Sequence, residues 1–227
     1  SGKTMLEHII ERVKKSKYIN KVIIATSEEQ EDNCVEELLK NINVGIFRGH
    51  KYDVLSRYYN SAKIFNVEYI VRICADCPLI DPKTIDLVIK KHLDNNFEYT
   101  TNSTKTFPLG LDLEVLHFNV LSKIYELAEE KMYREQVTFF IEQNPNLFTI
   151  QKIKACKNLN YPSFRLTVDT EEDLKLIKTI YSKLYDTINI VNINDVIRLM
   201  LKNSALKKIN ANIVQKSKKD VDSRYID

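Results

Sequence analysis

The feature of this sequence that most constrains its fold is a regular alternation of amphipathic helices with short β-branched runs. Lys21–Thr26 and Glu68–Cys74 have the length and composition of strands, and the first is expected to be buried on both faces. Apolar residues recur at helical spacing over residues 4–16 and over Asp53–Phe65. Helices that alternate with strands in this way predict an α/β protein with a doubly wound, mostly parallel sheet.

Helix-capping residues and changes in the hydrophobic periodicity locate the remaining helices and strands. Ser27 is expected to cap the helix after the first strand, and Asp81, followed by proline, opens another helix. Arg165–Val168 predicts a short inner strand. Further helices are predicted at about residues 119–130, 133–143, 170–184 and 194–202. We expect one α/β domain over residues 1–190, followed by a short helix and a polar tail over residues 191–227.

The charge balance and the length of the apolar runs argue against two classes of partner. The sequence has 34 basic and 31 acidic residues and a net charge of +3, so bulk electrostatics give no reason to expect nucleic-acid binding. Its apolar runs are far shorter than the ~20 residues that a membrane-spanning helix needs. Four cysteines at irregular spacing fit a reducing compartment, and we therefore expect a cytoplasmic protein.

Two aspartates follow predicted strands. Asp76 follows Glu68–Cys74 with one residue between them, and Asp169 comes directly after Arg165–Val168. Ligands gather at the carboxyl ends of parallel strands, and two carboxylates there suit Mg²⁺, which takes one or two carboxylates together with phosphate oxygens. The residues alone leave a second interpretation open, in which Asp169 and Thr170 simply cap the helix that follows them.

A pair of cysteines, Cys74 and Cys77, has the spacing of some zinc and redox motifs. A zinc site needs a second pair of ligands, and the other two cysteines do not form one. We expect both thiols to be free of zinc and of a disulfide, with Cys74 packed as a small apolar side chain.

Seven segments of the chain occur in the order that is typical of one known family. They are Met5–Val13, Phe47–Gly49, Asp53–Tyr58, Val71–Asp81, Gly110–Glu114, Arg134–Val137 and Leu166–Leu174. Together they resemble the cytidylyltransferase family of the spore coat polysaccharide biosynthesis protein F. That family is related to CMP-Kdo synthetase and to acylneuraminate cytidylyltransferase.

The resemblance implies a Rossmann-like nucleotidyltransferase that activates an acidic sugar with CTP. The products would be pyrophosphate and a CMP-sugar for surface polysaccharide or glycoconjugate synthesis. Mg²⁺ is the implied cofactor, CTP and the acidic sugar are the implied partners, and a homodimer is left open. The matching segments of CMP-Kdo synthetase carry metal-binding aspartates, which favours Asp76 and Asp169 as ligands. The implied catalytic residues are Arg72, Asp76 and Asp169, and the implied substrate-binding residues are Arg48, Arg57, Asp112, Glu114 and Arg134.

The chain departs from the family pattern at two positions on the expected sugar side. Gln136 stands where the family usually has histidine, and Leu109 stands where it usually has aspartate. The sequence therefore does not identify the sugar.

A third departure is at the front of the chain. In the family, a strand and a nucleotide loop with glycine, arginine and lysine would precede Ser1, so the fold is expected to lack both. We expect a gap in the sheet between strands at Val22–Ala25 and Tyr69–Ile73, and an inactive fragment. Two alternatives stay open: a degenerate family member that acts as a binding partner, and a metal-dependent glycosyltransferase.

Overall fold

The computed structural model describes residues 2–219. The helices of this part are α1 (Met5–Val13), α2 (Asn33–Leu39), α3 (Val54–Ile64), α4 (Pro82–Asn95), α5 (Phe118–Leu127), α6 (Lys131–Gln136), α7 (Phe139–Gln143), α8 (Glu171–Leu184), α9 (Ile193–Lys202) and α10 (Ser204–Lys208). The strands are β1 (Ile23–Ser27), β2 (Gly45–Gly49), β3 (Tyr69–Arg72), β4 (Tyr99–Thr101), β5 (Glu114–His117) and β6 (Ile150–Lys152). Within residues 2–219, every helix lacks either the length or the hydrophobicity that a membrane span requires.

The strands form two sheets. β1 and β2 pair in parallel, with Ile23 opposite Gly45, and the second sheet has the order β3-β5-β4-β6. The strands predicted to flank a gap, β1 and β3, are each at an edge of their sheet.

Side-chain caps fix several helix starts where the sequence predicted them. The carboxylate of Asp81 accepts a hydrogen bond from the N–H of Thr84, and Pro82 occupies the first position of α4. Asp53 caps α3 through the N–H of Ser56. At the start of α1, Thr4 and Glu7 form a reciprocal capping box.

The start of the second helix was predicted wrongly. α2 begins at Asn33, after a 3₁₀ turn, and Ser27 ends β1 instead of capping a helix. The reason is Asp32, whose carboxylate accepts hydrogen bonds from the N–H and hydroxyl of Ser27 and from the hydroxyl of Thr26. β1 is also only half-buried for most of its length, because it belongs to a sheet of two strands.

Two further elements differ from the prediction because the backbone turns. Arg165–Val168 is not a strand; it makes one parallel bridge, between Leu109 and Arg165. The pairing stops there because Gly110 follows with a φ of +97°. The helix predicted over 133–143 is divided into α6 and α7 at Val137, whose φ is +54° and whose side chain is buried.

Two histidines, one in α1 and one in α4, are buried. The ring of His8 packs against that of Tyr181, with centroids 4.3 Å apart and planes tilted by 45°, and burial lowers the pKa of His8. The Nδ1 atom of His92 lies 2.9 Å from the hydroxyl of Thr100.

The described residues group into two compact units, each assembled from separate segments. Unit 1 comprises the segment up to Ile19, Val71–Val115 and Gln151–Val214. Its core includes α8 and α9, which pack together through buried residues such as Leu176, Ile180 and Val196. The predicted domain boundary near residue 190 stays a prediction.

Unit 2 comprises Asn20–Ile70, Leu116–Ile150 and the segment from Gln215. Helix α3 packs against β1 and β2 and against α5 and α6. Tyr59 of α3 and Tyr125 of α5 stack almost in parallel, with ring centroids 4.1 Å apart.

Candidate active site

The turn between β3 and α4 carries Asp76, and hydrogen bonds join it to the segment that carries Asp169. The carbonyl of Asp76 accepts a hydrogen bond of 2.9 Å from the N–H of Val168 and one of 3.2 Å from the hydroxyl of Thr167. Both segments belong to unit 1. The two acidic segments are therefore neighbours, whereas a shared cation between the two carboxylates stays a prediction.

A buried thiol contacts the side chain of Asp76. The Sγ–H of Cys77 donates a hydrogen bond of 3.0 Å to Oδ1 of Asp76. Burial, and then the charge of Asp76, raise the pKa of Cys77 well above its usual value. The thiol therefore keeps its proton at neutral pH and acts as a donor to the carboxylate.

The pKa of Cys74, the other cysteine of the pair, is shifted by four charged residues around it. Arg72 acts to lower the pKa of Cys74, but burial and the negative charges of Asp76, Glu114 and Asp112 outweigh it, and the pKa is raised. Four residues that the sequence assigned to the site therefore act on one thiol. The four cysteines are free thiols.

Arg72, which is partly buried, and the buried Glu114 form an ion pair at the ends of β3 and β5. Their Nη1 and Oε2 atoms are 2.7 Å apart, and the other oxygen of Glu114 accepts a hydrogen bond of 2.8 Å from the hydroxyl of Tyr99. Glu114 is 4% exposed. The close partners of its carboxylate explain how a charged group is buried here.

Asp169 has one arginine partner, and its side chain is 40% exposed. Its Oδ2 atom accepts a hydrogen bond from Nη2 of Arg165. The same arginine contacts Asp173, a fully buried residue of the first turn of α8. Burial acts to raise the pKa of Asp173, but hydrogen bonds from Arg165, Asn210 and the N–H of Asp169 outweigh it and lower the pKa.

The alternative interpretation, in which Asp169 and Thr170 cap the helix, is confirmed for Thr170 and wrong for Asp169. The cap of α8 is Thr170, which forms a capping box with Asp173. This leaves the carboxylate of Asp169 outside the cap, where a ligand can reach it.

The turn after Asp76 is held by two residues that the sequence patterns did not predict. Arg12 is 1% exposed; its guanidinium donates 2.6 Å and 3.3 Å hydrogen bonds to the carbonyls of Ile80 and Leu79. The hydroxyl of Tyr181 donates to the carbonyl of Pro78, and burial raises its pKa to about 12. The position of Arg12 within the apolar stripe of α1 was a signal that could have identified it.

The remaining predicted substrate-binding residues lie in unit 2. The guanidinium of Arg48 donates to the carbonyls of Ser27 and Glu29 and also contacts Asn33 and Glu36. These bonds hold together the segment between β1 and α2. A contact between Arg48 and substrate stays a prediction.

Arg134 and Arg57 also bind groups of their own unit. Arg134 contacts both carboxylate oxygens of Asp53 at 2.6–3.0 Å, and its guanidinium lies 4.5 Å from the ring centroid of Tyr125. Arg57 donates to the carbonyls of His50 and Lys51, while its Nε atom is buried without a hydrogen bond within the described residues. Burial lowers the pKa of Arg57.

The donor set around Asp76 and Asp169 suits a hard cation. Among residues 2–219 there is no group of three or more histidine, cysteine or acidic side chains that could hold a metal by itself. Mg²⁺ does not need one, since it commonly binds one or two carboxylates and completes its shell with water and phosphate oxygens. The carboxylates of Asp76 and Asp169 are therefore ligands of the type that Mg²⁺ takes, and their coordination of Mg²⁺ stays a prediction.

Comparison with known proteins gives the family. The sequence profile described as "Cytidylyltransferase" matches residues 1–209. This chain belongs to the cytidylyltransferase family. The chain is 42% identical over 218 residues to an uncharacterized protein of Methanocaldococcus jannaschii, a match that covers 96% of the chain and 88% of that protein.

Two further relatives of this cytidylyltransferase carry informative names. The spore coat polysaccharide biosynthesis protein SpsF of Bacillus subtilis is 33% identical over 184 residues, 79% of this chain and 76% of SpsF. The solved structure of a cytidylyltransferase from Leptospira borgpetersenii matches with a TM-score of 0.85 at 31% identity, covering 96% of this chain and 90% of that one. The predicted Rossmann-like α/β fold and the predicted family are thereby confirmed, and the family supports nucleotidyltransferase activity.

Proposed function

We propose that this cytidylyltransferase transfers the cytidylyl group of CTP to an acidic sugar, with Asp76 and Asp169 as the ligands of Mg²⁺. A sugar hydroxyl attacks the α-phosphorus of CTP. The new P–O bond forms as the bond to the pyrophosphate oxygen breaks, and the hydroxyl proton leaves to solvent. The products are a CMP-sugar and pyrophosphate, for surface polysaccharide or glycoconjugate synthesis in the cytoplasm. We also propose that the chain works as a homodimer.

The observation that carries this proposal is the pair of hydrogen bonds from Thr167 and Val168 to the carbonyl of Asp76. They join the two acidic segments within one unit. Mg²⁺ commonly binds one or two protein carboxylates together with the phosphate oxygens of a nucleotide, so neighbouring carboxylates suit this role. Bound Mg²⁺ would neutralise phosphate charge as it develops.

The protein's own residues have positioning roles in this reaction. Cys77 orients the carboxylate of Asp76 through its thiol, and Arg12 and Tyr181 hold the backbone of the same turn. Arg72 lies beside this turn, where we propose that it contacts the sugar carboxylate or the phosphates while Glu114 fixes its guanidinium. Such fixed charges contribute to catalysis because they need no reorganisation during the reaction.

The test measures pyrophosphate release by the purified chain. Each of CTP, ATP, GTP and UTP is combined with a set of acidic and neutral sugars, with and without Mg²⁺. We expect release with CTP and an acidic sugar only. Asp76→Asn and Asp169→Asn should each reduce the rate at least about 100-fold. The loss should be larger for Asp76, because Arg165 already compensates part of the charge of Asp169.

The matched control is Asp195→Asn, which changes an exposed aspartate of α9 that pairs with Arg198. We expect its rate to stay within about twofold of the wild type, since exposed ion pairs contribute little. Full activity of Asp76→Asn would contradict the metal assignment. Pyrophosphate release by the wild type, which this proposal expects, would contradict the sequence-based expectation of an inactive chain.

Two other results would contradict the proposed reaction. Sugar transfer from a finished nucleotide sugar would support a glycosyltransferase instead. A folded chain that neither releases pyrophosphate nor binds CTP in the presence of Mg²⁺ would support a degenerate family member that acts as a binding partner.

A further inference from the structure

A buried polar network lies directly behind the exposed carboxylate of Asp169. The guanidinium of Arg165 contacts Asp173 twice, with Nε–Oδ1 and Nη2–Oδ2 distances of 2.9 Å. The same Nη2 atom contacts Oδ2 of Asp169. Arg165 is 8% exposed and Asp173 is fully buried, so the arginine bridges a buried and an exposed carboxylate.

The network is completed by a residue that follows the last described helix, α10. The side-chain amide of Asn210 donates a 2.7 Å hydrogen bond to Oδ1 of Asp173 and a 3.0 Å hydrogen bond to the carbonyl of Arg165. Asn210 is 5% exposed. It therefore fixes Arg165 at two places, at its backbone and through the carboxylate that holds its guanidinium.

The charges show which member of the network is available to a ligand. Arg165 supplies one positive charge to two carboxylates, so the group keeps one negative charge. Asp173 receives donors from Arg165, Asn210 and the N–H groups of Asp169 and Thr170. The exposed side of the network is Asp169, whose direction depends on where Arg165 lies.

We propose that Arg165 and Asn210 are positioning residues that hold the carboxylate of Asp169 in the direction needed to bind a divalent cation. This inference rests on the proposed function, in which Asp169 is a Mg²⁺ ligand. It makes the segment after α10 part of the active site, although Asn210 itself touches neither metal nor substrate.

If Asn210 only stabilised the fold, its replacement would not affect cation binding specifically. A variant of a second asparagine distinguishes this case from the proposed positioning role. Asn203 caps α10 through hydrogen bonds to the N–H groups of Ala205 and Leu206 and lies in the same C-terminal segment. Asn203→Ala removes hydrogen bonds of that segment without touching the network. Asn210→Ala removes hydrogen bonds of the network itself.

The experiment titrates the wild type and the variants Asn210→Ala, Asn203→Ala and Asp169→Asn with Mn²⁺ alone. The free Mn²⁺ signal is followed by electron paramagnetic resonance at a temperature where all variants are folded. We expect Asn210→Ala to weaken Mn²⁺ binding about threefold to tenfold, because the two hydrogen bonds that it removes act on Asp169 only through Arg165. Asn203→Ala should change it less than about twofold even if both variants lose similar stability. With CTP and sugar, Asn210→Ala should raise the KM for Mg²⁺ more than it lowers kcat.

Equal Mn²⁺ affinities of Asn210→Ala and Asn203→Ala, with Asp169→Asn weakened, would overturn the inference and leave the proposed metal site intact. Unchanged Mn²⁺ binding by Asp169→Asn would overturn the metal site and, with it, the inference. If Asn210→Ala does not fold, Arg165→Lys goes through the same titration. It keeps the charge but loses the two-point contact with Asp173, and the same results support or overturn the inference.

Discussion

Replacement of Gly110 by alanine should destabilise unit 1 and displace the segment that carries Asp169. Gly110 has a φ of +97°, a region that a residue with a Cβ enters at a cost of about 1–2 kcal/mol. An added Cβ would lie 2.6 Å from the N of Thr167 and 2.7 Å from the C of Leu166. Both are backbone atoms, so no side chain can rotate away, and the contact should cost about 1–3 kcal/mol more.

These two costs predict a loss of about 2–5 kcal/mol in the free energy of unfolding. For a chain of this length the melting temperature should fall by roughly 4–20 °C. Thr167 and Val168 are the donors to the carbonyl of Asp76, so a displaced backbone also moves the two acidic segments apart. Activity should therefore fall even at temperatures where the variant is folded.

The measurement combines urea unfolding with pyrophosphate release well below the melting temperature. The control is Gly2→Ala, since Gly2 also has a positive φ, +72°, but nothing lies within 4 Å of its added Cβ. The control should lose no more than about 1–2 kcal/mol. If Gly110→Ala lost no more free energy than Gly2→Ala and kept full activity, the close approach to Leu166 and Thr167 would have no energetic consequence and the argument would be wrong.

Three more substitutions test the residues around the two aspartates. Arg12→Met leaves buried carbonyls without donors and should lose at least about 2 kcal/mol of the free energy of unfolding in urea. The control Arg198→Met, at an exposed ion pair, should change that free energy by less than about 1 kcal/mol. Equal losses would contradict the role of Arg12. The pKa of Asp173 is lowered on folding, so its contribution to stability is present above its unfolded pKa of about 3.9 and is lost as the pH falls through the folded value. Asp173→Asn should therefore be less stable than the wild type at pH 7, and its melting temperature should fall less between pH 5 and pH 2; parallel curves would refute this. Cys77→Ala should weaken Mn²⁺ binding about twofold to tenfold. Cys77→Ser keeps a donor to Asp76, and Cys34→Ser changes an exposed site, so both should bind Mn²⁺ about as well as the wild type. If Cys77→Ser bound as weakly as Cys77→Ala, the hydrogen bond would not be the cause.

The elements that could be predicted from the sequence are those whose determinants are local. Asp81 and Pro82 mark the start of α4, and Asp53 marks the start of α3, because a cap and its first turn lie within four residues of each other. Long helices with one apolar stripe, such as α8, were also predicted, because periodicity extends over several turns.

The elements that could not be predicted depend on contacts between distant residues. Arg165–Val168 has the composition of a strand, but its neighbour Leu109 is followed by a glycine that turns away, so the bridge ends after one residue. Val137 breaks a helix that its sequence would continue, since its backbone adopts a positive φ while its side chain is buried. No periodicity in the sequence reports such contacts.

The candidate active site likewise has residues that could be predicted from local sequence and residues that could not. Asp76 and Asp169 could be named because each follows a predicted strand in a family motif, but the residues that hold them could not. Arg12 and Asn210 contact the site through segments far away in the sequence. A charged residue in an apolar stripe was the one local signal that Arg12 left, and Asn210 left none.

The two aspartates also differ in a way that neither motif discloses. Asp76 accepts a hydrogen bond from a thiol that remains protonated, so its negative charge is oriented but not neutralised. Asp169 accepts its hydrogen bond from an arginine that is shared with the buried Asp173, so its charge is oriented and partly compensated. A cation between them would gain more electrostatic energy from Asp76, because a neutral donor screens a carboxylate less than a guanidinium does. In the proposed metal site, Asp76 would then be the stronger ligand, and the direction of the Asp169 carboxylate would depend on Arg165 and Asn210.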